Sequence, residues 1–437
     1  MSSSRMEGSV IWEGCCKNGL NLGTITMEVP DQIGLEIMHN SLREKMHIGF
    51  FTNAYTPSIS GVARSVGSFR KALTELGNNV FIFSPQIEDC EYDEPFVFNY
   101  PALEIPQIMD LPFVIPISTS IDNIFPSLKL DIIHSHHPIL LGKTAVQKAS
   151  RYDLPLVFTF HSLYWEYSRY AGSIVREFVK DQIDNVLVDY LQKCHHIITP
   201  SESLRQILYD NYGLTEKVTT IPTGIELTHY DELEKEIERE KLGWEDEIVL
   251  ISVGRLALEK NWNTLLEACA IVMKEHANVR FVLLGEGSER KKLSKRSRSL
   301  GIADRIEMPG VIDLSDVANY LIAADIFCFA SVAETQGLVT LEAMASGLPV
   351  AAVNGSGTRD VLQEGIQGFL SDNNNASLAE AIGKLVSSRD LRLKMGLAAK
   401  ERARAFEIKQ QAYKLLDVYA QATESAIKGE LVLSDQV

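Results

Sequence analysis

The feature that most limits the fold is an alternation that runs through the chain twice. Short apolar runs rich in Ile, Val and Phe, bounded by turn residues, take turns with longer stretches whose apolar residues recur at helical spacing. "MHIGFFT", starting at Met46, opens the first series; "GVARSVGSFRKALTELG" follows as an amphipathic helix closed by Gly77, and "NVFIFSP" as the next strand. "DIIHSHHP", "LPLVFTFHS" and "CHHIITPS" extend it, with helical segments between them, the longest over about residues 172–193. The series restarts near residue 247 with "EIVLISVGRL", the helical "NWNTLLEACAIVMKEH", "VRFVLLGEGS", "ADIFCFAS" and "LPVAAVNGSG". Strands of this kind, separated by helices, form parallel sheets covered on both faces. The expectation is an α/β chain of two doubly wound domains, residues 46–225 and 226–405, joined near "IPTGIELTHYDELEKEIERE". A last helical stretch, residues 406–428, follows the second domain, and 429–437 form a tail.

The bulk numbers suit this. The 437 residues are 45% hydrophobic and 23% charged, enough for sizeable cores. A net charge of -16 argues against a nucleic-acid binder, which needs a basic footprint. Cys15, Cys16, Cys90, Cys194, Cys269 and Cys328 show no C-x-x-C spacing, as in a reduced cytoplasmic protein. No apolar run approaches the roughly 20 residues of a membrane helix. Residues 1–45 lack a signal-peptide core and read as a poorly ordered extension or an upstream start. The location expected is the cytoplasm, with peripheral contact at the inner face of a membrane left open.

In open parallel sheets, ligands sit at the carboxyl ends of the strands, and the chemistry-bearing residues fall there. Gly254 lets the chain turn closely after "LISVG", and Arg255 and Lys260 bracket the next helix. Two cations at a strand end suit a diphosphate; the alternative is a solvated pair of surface charges. After "DIFCFAS", the loop "ETQG" leads into a helix starting near Gly337. Its amino terminus, with the amides of Gly337, Leu338 and Val339, is a ready anion site. Glu334 precedes that terminus and Glu342 lies on its second turn. Ionised carboxylates only accept hydrogen bonds, and sugar and ribose hydroxyls supply donors. The alternative is that Glu334 caps the helix and Glu342 is a surface residue. Cations from one strand end, amides from another and carboxylates flanking the amides together describe a nucleotide-sugar site.

Glu334-x7-Glu342, Gly254-Arg255-x4-Lys260, "IPTGIE" and "GSGTRDVLQEGIQGFL" together resemble the retaining glycosyltransferases of family 4, which have the GT-B fold, two facing Rossmann-like domains with a cleft between. The resemblance runs from Met46 to about residue 428. Within the family, "SHHP", "FTFHSLYWEYSRY" and "ETQGLVTLEA" are similar to 1,2-diacylglycerol 3-glucosyltransferases. The resemblance implies catalytic roles for Arg255, Lys260, Glu334 and His161. Arg255 and Lys260 hold the donor diphosphate, Glu342 binds the ribose, and Glu334 lies near the reacting carbon. The amides of Gly337, Leu338 and Val339 contact sugar and phosphate. Gly61 allows close approach of the first domain, His161 faces the donor sugar, and the final helix crosses back to the first domain. Many relatives carry Gly-Gly-x-Pro-Glu where this chain has "SGTRD", residues 356–360. No Asp-x-Asp motif ends a strand, so metal-independent transfer without a cofactor is expected.

Other features read more plainly. His134, His136 and His137 lack a Cys or Glu at ligand spacing, so they read as strand-end histidines. "GEGS" lacks the full dinucleotide fingerprint, which argues against a redox cofactor. Tyr164, Trp165, Tyr167 and Tyr170 either stack on a sugar or line an apolar acceptor groove, or else pack inside the first domain. Arg169, Arg176 and Lys180 on one helix are diluted by Asp181, Asp184 and Asp189, which favours a solvated face. The expected partners are a UDP-sugar donor and a hydroxyl acceptor, with 1,2-diacylglycerol preferred. Another lipid, a soluble sugar or polyol acceptor, a sugar-nucleotide epimerase and a non-catalytic sugar-nucleotide sensor stand as alternatives.

Overall fold

The computed structural model describes residues 45–58, 60–87, 94–103, 113–164, 176–244 and 246–432. The first series of apolar runs forms β1 (His47–Phe51), β2 (Asn79–Pro85), β3 (Val97–Tyr100), β4 (Ala102–Leu103), β5 (Phe113–Val114), β6 (Ile132–Ser135), β7 (Leu156–Thr159), β8 (His196–Thr199) and β9 (Val218–Thr220). Seven build one sheet in the order β3-β2-β1-β6-β7-β8-β9, while β4 and β5 pair separately. The second series forms β10 (Ile248–Val253), β11 (Val279–Leu284), β12 (Ile306–Gly310), β13 (Ile326–Phe329), β14 (Val350–Val353) and β15 (Gly368–Ser371). Its sheet runs β12-β11-β10-β13-β14-β15. Every pairing in both large sheets is parallel.

The strands are continuously apolar because both faces are covered. Alternate residues part company: Ile48, Phe50, Val80 and Ile82 enter one core, while Phe51, Phe81 and Phe83 enter the core on the opposite face. Helix Gly61–Glu75 buries Ala63, Val66, Phe69, Ala72 and Leu73, a stripe at helical spacing, and Ser60 caps its start by accepting from the Ala63 amide at 3.1 Å. Helix Ile408–Lys428 lies on the first sheet too. Its Ile408, Ala412, Leu415, Leu416 and Tyr419 share a core with Ile48, Phe50 and Leu73. The chain thus passes between the sheets twice, and the two passages pair. The Ile225 amide donates to the Phe406 carbonyl at 2.9 Å and the Ile408 amide to the Ile225 carbonyl at 3.0 Å.

In each sheet the order reverses beside the first strand: β1 lies between β2 and β6, and β10 between β11 and β13. These are the switch points, where the loops leaving neighbouring strands diverge and open a crevice. Cys194, Cys269 and Cys328 are buried and form no disulfide. Cys15, Cys16 and Cys90, Trp165, Tyr167, Arg169 and Tyr170, the side chain of Arg176, and all but the last residue of the expected extension lie outside the described residues. Among the described residues, no helix is long and apolar enough to cross a membrane.

Candidate functional site

The switch point of the second sheet gathers the residues singled out from the sequence. The chain leaves β10 at Gly254, whose amide donates to the Leu284 carbonyl at 3.0 Å. Trp262, itself buried, donates its indole N–H to the Arg255 carbonyl at 2.9 Å and fixes the turn. The Arg255 guanidinium reaches an exposed position, where Nη2 meets Glu259 Oε1 at 2.8 Å. Lys260 points instead to the neighbouring loop, and its Nζ contacts Glu334 Oε1 at 2.5 Å. Asn261 adds a tie, donating from Nδ2 to the Ala330 carbonyl, just past β13, at 3.1 Å. The two loops are therefore bound to each other. Arg255 and Lys260 share the loop, although each is met by its own glutamate.

Glu334 is mostly buried. Burial, the largest single effect, pushes its pKa up, but the Lys260 ammonium and the Ser331 hydroxyl together hold the carboxyl below the usual range. Its carbonyl accepts from the Gly357 amide at 3.0 Å and from Ser356 Oγ at 2.7 Å. Two glycines make the loop feasible. Gly337 starts helix Leu338–Ala345 at φ +81°, a left-handed conformation unfavourable for side-chain-bearing residues. A Cβ on Gly357 would sit 2.5 Å from the Gln336 nitrogen, so backbone meets backbone there. The first amides of the helix, Leu338 and Val339, precede any intrahelical partner, and the helix begins in the chain that follows the carboxyl end of β13.

Glu342 is no surface residue: its side chain is 3% exposed. Its partner comes from the first domain. Arg64, on the first turn of helix Gly61–Glu75, forms a two-pronged ion pair with it, Nη2 on Oε1 and Nη1 on Oε2, the latter at 3.1 Å. Gly61 opens the same helix, and a Cβ there would meet nothing within 4 Å. A second link runs alongside. Ser65 Oγ accepts from Thr223 Oγ1 at 2.8 Å, and Thr223 exchanges two backbone hydrogen bonds with the Gln336 side chain, at 2.8 and 2.7 Å.

On the first-domain side, His161 lies just beyond β7, and its Nε2 meets His136 Nδ1 at 3.0 Å. Burial, then the neighbouring His137 and His134, push the His161 pKa well below 6.5, so the ring is neutral and acts through hydrogen bonds. His134 sits inside β6 rather than at its end, bonded to Tyr419 at 2.8 Å and Thr159 at 2.7 Å. Tyr164 is buried against Phe160 in the first-domain core, so its ring packs inward. Among the described residues, no group of three or more His, Cys, Asp or Glu side chains is placed to hold a metal ion. "SGTRD" forms the start of helix Ser356–Val361. Asp360 accepts from the Ser203 amide at 3.0 Å and Oγ at 2.9 Å, and Arg359 Nε donates to the same Oγ at 3.1 Å. The departing residues thus join the domains.

Arg64, Ser65, Thr223, Gln336 and Asn261 were not picked out by sequence reasoning. The one available signal was a lone arginine at the start of an otherwise small and apolar helix turn, "GVARSV".

Two doubly wound domains thus meet with charged and polar side chains bridging their switch points, where open parallel sheets bind ligands. Residues 59–229 match the family model described as Glycosyltransferase Family 4, and residues 234–402 match Glycosyl transferases group 1. The alpha-monoglucosyldiacylglycerol synthase of Streptococcus pneumoniae is 34% identical over 70% of this chain and 71% of its own length. The enzyme of the same name from Acholeplasma laidlawii is 31% identical over 70% and 79%. In structure, Anabaena Alr3699/HepE, solved in complex with UDP and glucose, superposes with a TM-score of 0.68 at 19% identity, covering 86% of this chain and 99% of that one. The chain belongs to the family 4 glycosyltransferases of group 1, has the GT-B fold, and is an enzyme of the hexosyltransferase class.

Proposed function

We propose that this glycosyltransferase moves glucose from UDP-glucose to the free hydroxyl of 1,2-diacylglycerol, retaining the α configuration. The carrying observation is the meeting of Lys260 with Glu334 beside the amino terminus of helix Leu338–Ala345. That meeting supports a site in which a cation and oriented amides take up the charge of a departing diphosphate. The two relatives named as alpha-monoglucosyldiacylglycerol synthases support the sugar and the acceptor. The neighbour bound to UDP and glucose supports a nucleotide-sugar donor.

In this reading the acceptor oxygen attacks the anomeric carbon from the face the diphosphate leaves. The carbon–phosphate oxygen bond breaks as the new glycosidic bond forms, and the acceptor proton passes to a departing phosphate oxygen. Arg255, Lys260 and the amides of Leu338 and Val339 take up the charge on the diphosphate. Gly254, Gly337 and Gly61 keep side chains away from it. Glu334 sits under the sugar and sets the position of Lys260, Glu342 accepts from the ribose hydroxyls, and neutral His161 hydrogen-bonds a sugar hydroxyl. Much of the acceleration comes from orientation and leaving-group stabilisation. Transfer needs no metal, because the protein supplies the cations.

The test is incubation with labelled UDP-glucose and vesicles containing diacylglycerol, followed by phase separation and measurement of the anomeric coupling of the product. Label in the lipid phase with an α linkage is expected. Label confined to water-soluble product, or a changed sugar on the nucleotide without any acceptor, overturns the proposal.

A further inference from the structure

The reading of Glu342 as the ribose carboxylate leaves a physical problem. An ionised carboxylate with a 3% exposed side chain needs a counter-charge, or burial drives it toward its neutral form. Its own domain places Lys260 on Glu334 instead. The cation that reaches Glu342 is Arg64, 278 residues away in sequence and on the opposite domain.

We propose that Arg64 is the positioning residue for Glu342: the first domain reaches across the cleft and fixes the carboxylate that reads the donor's ribose. The inference rests on the proposed role of Glu342. Its stoichiometry is favourable. A carboxylate offers about four lone-pair positions, and the Arg64 fork takes one on each oxygen. Two positions remain, matching the two hydroxyl donors of a ribose. The fork also fixes the carboxylate plane, which a point charge does not do.

The surroundings hold Arg64 in place. Its neighbour Ser65 is hydrogen-bonded to Thr223 in the interdomain passage, and Thr223 to Gln336, one residue before Gly337. The start of helix Gly61–Glu75 is thereby tied to the loop that launches the helix carrying Glu342. Domain closure and ribose reading become one event: the carboxylate is oriented for the nucleotide only when the first domain is in place. Arg64 touches neither diphosphate nor sugar in this scheme and acts through Glu342.

The experiment measures calorimetric binding of UDP and of 2′,3′-dideoxyuridine diphosphate to the parent protein, Arg64→Met, Arg64→Lys and Glu342→Gln, with thermal unfolding as the check on folding. The parent is expected to favour UDP by about tenfold or more, the scale of hydrogen bonds to a charged group. Arg64→Met should bring that preference close to one and raise the donor KM more than it lowers kcat. Arg64→Lys, which keeps the charge without the fork, should lie between. A merely structural role for Arg64 weakens both ligands equally and leaves their ratio as in the parent, and that result overturns the inference, as does tighter UDP binding by Arg64→Met. If Glu342→Gln keeps the parent ratio, the ribose reading fails. If Glu342→Gln abolishes the ratio while Arg64→Met and Arg64→Lys retain it, the ribose reading stands and the positioning role fails.

Discussion

Lys260→Ala tests the electrostatic core of the proposed reaction. In the resting site the Lys260 ammonium lies 2.5 Å from Glu334 Oε1, at the start of the crevice between β10 and β13. A unit charge about 4 Å from a departing phosphate oxygen contributes about 4 kcal/mol at an effective dielectric of 20. Arg255 and the amides of Leu338 and Val339 remain in the variant and recover part of this. With about 1.4 kcal/mol per decade, kcat should fall by roughly 10²–10³. A second consequence follows from Glu334, whose carboxyl is held below the usual range by Lys260 and Ser331 against the larger single effect of burial. Without the ammonium, burial is opposed by the Ser331 hydroxyl only and the carboxyl protonates at a higher pH, so the acid limb of the residual kcat profile should move upward. The assay is steady-state transfer at saturating donor across pH, with thermal unfolding to confirm that the variant is folded. An unchanged kcat would refute the reasoning. So would a rise in donor KM alone, since that pattern belongs to a group binding ground state and transition state equally.

Three further outcomes are expected. Gly357→Ala places a Cβ 2.5 Å from the Gln336 nitrogen, so the Glu334 loop must move; a loss of about 1–3 kcal/mol by denaturant titration and a disproportionate loss of activity should follow. Burial lowers His134 to about 3 and His137 to about 4, and lowers His136 and His161 well below 6.5. The unfolded chain therefore binds more protons below pH 6.5, so stability is complete above that pH and declines by up to about 1.4 kcal/mol per histidine per pH unit below it; a stability curve flat from pH 7 to 5 contradicts this. Excess chelator should leave glucosyl transfer unchanged if, as proposed, Arg255 and Lys260 carry the diphosphate charge, and a collapse of turnover restored by a divalent ion would count against that assignment.

The parts legible in the sequence are those that neighbouring residues determine. Apolar runs such as "HIGFF" and "VRFVLL" are strands because both faces are buried, and that constraint is written in consecutive letters. The spacing of Glu334 and Glu342 places one before a helix and one within it for the same reason. The letters do not say which cation each carboxylate meets, because pairing depends on where separate elements come together. Glu334 is met from the adjacent loop of its own sheet, whereas Glu342 depends on an arginine from the other domain. "SGTRD" shows the same division from the opposite side. The departure from the Gly-Gly-x-Pro-Glu pattern is visible in the letters, but that Asp360 and Arg359 converge on Ser203 across the domains is not. Sequence patterns thus locate the candidate donor-binding groups, while the partners that those groups meet across the domains, such as Arg64 on Glu342, become visible only in the folded structure.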